Sequence, residues 1–173
     1  NKLIDRIIDN IEKSLKIEYW IDELRLNTEK GEDNGKHVFL YESKAVVLCP
    51  ARGIIYKELE PVCEDIEYNL VGADLQLGDT ALDDAENTEV HNQSNQRCYD
   101  KMLELAEKAI TKAEERKGKL PGVAIINYMN AWRFSQKAIE FAESSEDICK
   151  LNFRCLDRVD TGKEKLGCGL QMD

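Results

Sequence analysis

Two long runs of helical periodicity separated by only four residues constrain this chain more than any other feature. From Asn95 to Lys117 the apolar positions Cys98, Met102, Leu105, Ala109 and Ala113 recur at helical spacing, with Lys101, Glu104, Lys108, Lys112 and Glu115 on the other faces. "KGKLPG" closes that helix at Gly118 and opens the next with Pro121 in its first turn, where a missing N–H is harmless. Ile125, Tyr128, Met129, Trp132, Ile139 and Ala142 then mark a second stripe over 122–143. Each helix is about 30 Å long at 1.5 Å per residue, and so short a link folds them back antiparallel. The end of the second therefore returns to the start of the first, which brings Cys149 towards Cys98.

The rest of the chain is read around that pair. Leu3, Ile4, Ile7, Ile8, Ile11, Leu15, Trp20 and Leu24 predict a first helix from Lys2 to about Thr28, stopped by the glycines of "EKGEDNGK". "HVFLYESKAVVLCP" has two β-branched or aromatic runs around Glu42-Ser43-Lys44 and predicts a hairpin ended by Pro50. "GIIYKEL" adds a third extended piece, "VCEDIEYNL" a short helix with Cys63 inward, and 72–92 an acidic solvated loop. Ser144 or Ser145 caps a last helix carrying Ile148, Phe153 and Leu156, and the tail after Asp160 is irregular. The expected fold is mainly α: an antiparallel helical bundle with an inserted small α+β lobe, bilobed and disulfide-linked. The bundle takes residues 1–30 and 95–173, and the smaller mixed lobe, with hairpin and acidic loop, takes 31–94.

Cys49, Cys63, Cys98, Cys149, Cys155 and Cys168 are an even set without a Cys-x-x-Cys pair, which favours disulfides over zinc or dithiol redox chemistry. Fifteen connectivities are open to six cysteines. Antiparallel helices favour Cys98–Cys149. Cys149 and Cys155 on one helix would point apart, so Cys155 is paired with Cys168, and Cys49 with Cys63. Asn92 heads an Asn-x-Ser acceptor for N-glycosylation among polar neighbours. With no leader and no apolar run of membrane-spanning length in its 173 residues, the chain is expected to be a soluble, trimmed ectodomain or a secreted protein.

Charge narrows the partners. The net charge is −10, and between Lys57 and Arg97 eleven acids stand with no Lys or Arg. Phosphate backbones and anionic lipid surfaces are repelled by such a segment, so nucleic acid is excluded and a membrane enters only through an anchor outside this chain. No catalytic constellation emerges, and the expectation is that the chain is not an enzyme and carries no cofactor or metal. His91 with Cys98 is the one nucleophile and base pair worth weighing, and cross-linking of Cys98 is the stronger reading. Asp79, Asp83, Asp84 and Glu86 are oxygen ligands without EF-hand spacing.

"KHVFLYESKAVVLCPARGIIY" set between helices, with Cys98, Cys149, Cys155 and Cys168 in the helical part, resembles the insect-stage (procyclic) surface antigens of African trypanosomes. The resemblance spans most of the chain and transfers no site residue. It implies a type I membrane protein whose two-lobed ectodomain holds a partner in an inter-lobe cleft at the interface with the insect host. The expected function is a cell-surface ectodomain recognising a peptide or protein, with the cleft flanked by Gly31–Lys36 and Val90–Asn95. The alternative is a secreted helical carrier of a small apolar ligand, in a cavity lined by Trp132, Met129, Ile125 and Ile8. Insect odorant-binding proteins share six cysteines, but their Cys-x-x-x-Cys step is absent here.

Overall fold

A computed structural model describes residues 2–28, 33–49 and 60–149. The described residues are mainly helical. They form α1 (Lys2–Ser14), a 3-10 turn at Ile17–Tyr19, α2 (Asp33–Leu48), α3 (Glu60–Glu86), a 3-10 turn at Gln93–Asn95, α4 (Gln96–Arg116) and α5 (Pro121–Glu143).

α4 and α5 follow the sequence reading within a residue or two. α5 is the centre of the fold, lying against α4, α3 and α2. That position explains its composition. Ala124, Ala131, Ala138 and Ala142 let neighbouring backbones approach, while Ile125, Tyr128, Trp132 and Phe141 fill the space between them. The approach is closest at Gly122, where a Cβ would stand 2.5 Å from Val47 Cγ2, and whose carbonyl accepts the Ser43 hydroxyl at 3.1 Å.

The expected hairpin is instead α2. Val38, Phe39, Glu42, Ala45, Val46 and Cys49 are all buried, a spacing that puts them on one side of a helix and on both sides of a strand. Strand preference of valine and phenylalanine amounts to about 1 kcal/mol across the scale, which packing of this stripe against α5, α1 and α3 outweighs. Gly35 completes the fit, since a Cβ there would meet the Trp132 ring at 2.5 Å.

The expected acidic loop 72–92 is also helical up to Glu86. α3 is 27 residues long, about 40 Å, with Pro61 in its first turn. Its buried face reads Cys63, Val71, Asp74, Leu77, Gly78, Ala81 and Ala85. Glycine and alanine carry little hydropathy, so the period is faint in sequence although the packing is close. A Cβ on Gly78 would lie 3.6 Å from the Tyr128 carbonyl and 3.8 Å from Ala131. The segment 31–94, expected as a mixed lobe, therefore has no strand among the described residues. "GIIYKEL" lies outside them.

The first helix ends at Ser14 rather than near Thr28. The Ser14 hydroxyl donates to the Ile11 carbonyl, and the Ser14 carbonyl accepts Trp20 Nε1 at 2.9 Å. Asp22 Oδ1 accepts the Leu24 N–H at 2.8 Å and folds a tight turn, after which Asn27 N–H meets the Tyr19 carbonyl at 2.7 Å. Short polar side chains thus offer the backbone an alternative to continuing the helix. Of the apolar residues read as its stripe, Ile7 is buried and Ile11 and Trp20 pack against the core, while Ile8, Leu15 and Leu24 are turned outward, Leu15 being 64% exposed.

One apolar cluster joins Tyr19 and Leu26 from the N-terminal part, Val38, Phe39 and Val46 from α2, Leu77 and Ala81 from α3, Ala113 from α4, and Ile125 and Trp132 from α5. It joins residues from both sides of the positions, near 30 and 94, at which two lobes are expected to divide. A second cluster holds Tyr99, Met102, Phe141 and the disulfide Cys98–Cys149, whose Cα atoms are 5.7 Å apart. Cys49 and Cys63 are both buried beside Ile7 and Ala45, coming from the end of α2 and the start of α3 rather than from a hairpin, and no disulfide joins them. Cys155, Cys168, Phe153 and Leu156 lie outside the described residues. Residues 144–148 are non-helical, with Ser144 Oγ accepting the Glu146 N–H; Cys149 is helical, and the remainder of the expected last helix lies outside the described residues.

Candidate functional site: a groove along α3

The N-terminal half of α3 and the tight link between α4 and α5 face each other across an open groove of about 760 Å³. Proline at 121 and the turn at Lys117–Leu120 bring the link close, and α3 supplies the other wall because its Cys63 and Val71 side is committed to the interior. Val71, Leu75, Pro121 and Tyr128 form an apolar floor, and Glu64, Glu67 and Tyr68 form the rim. Tyr68 is 82% exposed.

The electrostatics of the groove are one-sided. Lys117, the lysine at its edge, is engaged by Glu114 at 2.5 Å, and Glu114 also accepts the Tyr128 hydroxyl at 2.5 Å. These two donors hold the Glu114 carboxyl below the usual range, Lys117 contributing most. Tyr128 is pushed upwards, first by burial and then by Glu114. Glu67 is raised by partial burial and then by the neighbouring charge of Glu64. Further along the helix Asp79 is raised in the same way, by burial and then by Asp83 and Glu114.

Beneath the groove's helix lies a buried acid pair that sequence reasoning missed. Glu42 of α2 is 3% exposed and Asp74 of α3 is fully buried. Glu42 Oε2 and both Asp74 oxygens have no hydrogen-bond donor. Burial raises Glu42 to about 7, opposed by Ser14 and Asp74, and raises Asp74 well above its ordinary value, reinforced by the Glu42 charge. Two carboxylates accept only, so the pair is satisfied when one of them carries a proton and donates to the other. The signal in sequence is an acid at the centre of each buried stripe: Glu42 is four residues from both Val38 and Val46, and Asp74 is three from both Val71 and Leu77.

The second missed residue is Asn95. It is fully buried at the start of α4, and its Nδ2 donates to the carbonyls of Ser144 and Glu146 while its Oδ1 accepts the N–H groups of Ile148 and Cys149. With the Cys98–Cys149 bond it fastens the turn after α5 to the start of α4. Asn92 belongs to the same fastening, Nδ2 donating to the Ser145 carbonyl at 2.9 Å and Oδ1 accepting Ser94 N–H at 2.9 Å. A glycan on Asn92 would leave that nitrogen one proton, so attachment and the Ser145 contact compete for geometry. The segment Val90–Asn95, expected beside a cleft, is stitched down here, His91 N–H to the Ala142 carbonyl included.

The other sequence candidates are dispersed. The Cys98 sulfur is in the disulfide and His91 Nδ1 lies 3.2 Å from the Glu143 carbonyl, so no thiol and imidazole meet. Asp84 is held by a two-pronged contact from Arg25, while Asp79, Asp83 and Glu86 project at intervals along one helix. Among the described residues no three His, Cys, Asp or Glu side chains converge as metal ligands. Trp132 and Ile125 are packed in the core, Ile8 is largely exposed, and the space beside Trp132 is about 90 Å³. Comparison with protein-family models, with curated proteins and with solved structures yields no match to this chain.

Proposed function

We infer that this chain is an extracellular recognition domain: an antiparallel helical bundle, closed by Cys98–Cys149, that takes a peptide or protein partner. The observation that carries the reading is the α3 groove, open to solvent, floored by apolar side chains and rimmed by the exposed ring of Tyr68. Recognition surfaces are built of such parts. The disulfide supports an oxidising location, and membership of the trypanosome surface antigens, with a membrane anchor beyond this chain and lobes at 1–30 with 95–173 and at 31–94, belongs to the same proposal. The reading moves the contact surface from the 31–36 and 90–95 tethers to the groove. The carrier alternative finds only about 90 Å³ beside Trp132, below the 300 Å³ or so of a typical ligand pocket.

Panning the folded domain against a random peptide library tests the reading. Enriched peptides should lose at least tenfold in affinity on Tyr68→Ala and little on Ile17→Ala, an exposed position away from the groove. Enrichment indifferent to Tyr68, or none at all, would remove the proposal.

A further inference from the structure

α3 carries nine carboxylates and no Lys or Arg. Most of its acids have no counter-charge among the described residues. Arg25 neutralises Asp84, and Asp74 is interior, whereas Glu64, Glu67, Asp79, Asp83 and Glu86 make no ion pair with any described residue. Elsewhere on the surface the pattern differs, since Asp9, Glu104, Glu114 and Glu140 each lie against a lysine three or four residues away. Uncompensated charge of one sign along a groove raises the local concentration of the opposite sign and orients it on approach.

We propose that the α3 groove binds a Lys- or Arg-bearing extended segment of a protein partner, cations on Glu64 and Glu67, apolar residues on Val71, Leu75 and Pro121. This deepens, and rests on, the recognition reading above. A metal ion is a poorer occupant because the acids are spaced along a helix without converging. An extended peptide suits the dimensions. From Glu64 to Gln76 the helix rises about 18 Å at 1.5 Å per residue, which five or six extended residues span. In such a strand alternate side chains face opposite ways, which sends cations to the acidic rim and apolar groups to the floor. Tyr68, exposed at the rim, supplies an aromatic ring on which a guanidinium can stack.

The test uses fluorescent six-residue peptides, blocked at both ends, alternating Arg with Leu, Ser with Leu, or Glu with Leu, read by anisotropy at low and moderate salt. The Arg peptide should bind, weaken with salt and lose at least tenfold in affinity on Glu64→Gln with Glu67→Gln. The same charge change at Glu23→Gln with Glu107→Gln, two exposed acids elsewhere, should move it less than twofold. Equal losses from both pairs would mean bulk attraction and overturn the proposal, as would complete displacement of the peptide by equimolar spermine. Tyr68-dependent binding of the Ser peptide with none of the Arg peptide would overturn it while leaving the recognition reading intact. No Tyr68-dependent binding of any peptide would remove both.

Discussion

Raising the pH should loosen this protein at a single buried spot, where Glu42 meets Asp74. Burial lifts Glu42 from its ordinary 4.5 to about 7. An acid raised in the folded state keeps its proton after the unfolded chain has lost it, so stability is greatest below pH 4.5 and falls as pH climbs through 7. The distance between the two midpoints corresponds to about 3 kcal/mol from Glu42 alone. Asp74 is shifted in the same direction and extends the loss to higher pH. The groups facing the pair do not reverse the sign: Ser14 of α1 lowers Glu42 by less than burial raises it, and Tyr128 of α5 is itself raised, in small part by the Asp74 charge. Glu42→Gln replaces the titrating group with an amide that donates to Asp74 at any pH. Urea unfolding followed by circular dichroism at intervals from pH 4.5 to 8.5 reads the difference. The wild type should lose about 3 kcal/mol more than the variant across that range, a relative shift of midpoint of more than 1 M urea. Parallel pH profiles for the two proteins would refute the shared-proton account and mean that water reaches the pair.

Three further outcomes follow from the packing. Replacing Cys98 and Cys149 together by Ser opens a loop closed over a separation of 51 residues, for which chain entropy gives a loss of about 4 kcal/mol; a change under about 1 kcal/mol in unfolding free energy would contradict it. Asn95→Ala strands two carbonyls and two N–H groups at the same end of the fold and should destabilise by about 2 to 4 kcal/mol, with amide exchange at Ile148 and Cys149 accelerating before the rest. Gly35→Ala forces a methyl into the Trp132 ring and should lose about 1 to 3 kcal/mol, whereas Gly72→Ala, with open space around its Cβ, should raise the thermal midpoint.

The parts of the fold legible in sequence are those whose buried stripes are made of distinctly apolar residues. Met102, Tyr128 and Trp132 announce α4 and α5, and the four-residue link then brings Cys98 to Cys149 by length alone. α2 was obscured because Val38, Phe39, Val46 and Val47 favour strands, and because the stripe that reveals the helix has an acid, Glu42, at its centre. α3 was obscured for the opposite reason. Its buried face is largely Gly78, Ala81, Ala85 and Asp74, so its outer acids dominate the pattern and read as solvated loop. The candidate site was half visible. The absence of Lys and Arg between Lys57 and Arg97 is plain in the chain, but the groove exists only because α3 comes to rest opposite Pro121 and Tyr128. That apposition rests on the packing of α3 against α5, in which the small residues Gly78 and Ala81 take part and leave little trace in hydropathy.

The proposed placement of this domain outside the cell, held shut at one end by sulfur, is tested most directly by trapping thiols with an alkylating reagent as the native protein is isolated and then mapping unreduced peptides by mass spectrometry. A peptide joining Cys98 to Cys149 is the predicted result. Recovery of both residues in alkylated form would contradict the disulfide, the oxidising location and the recognition role built on them.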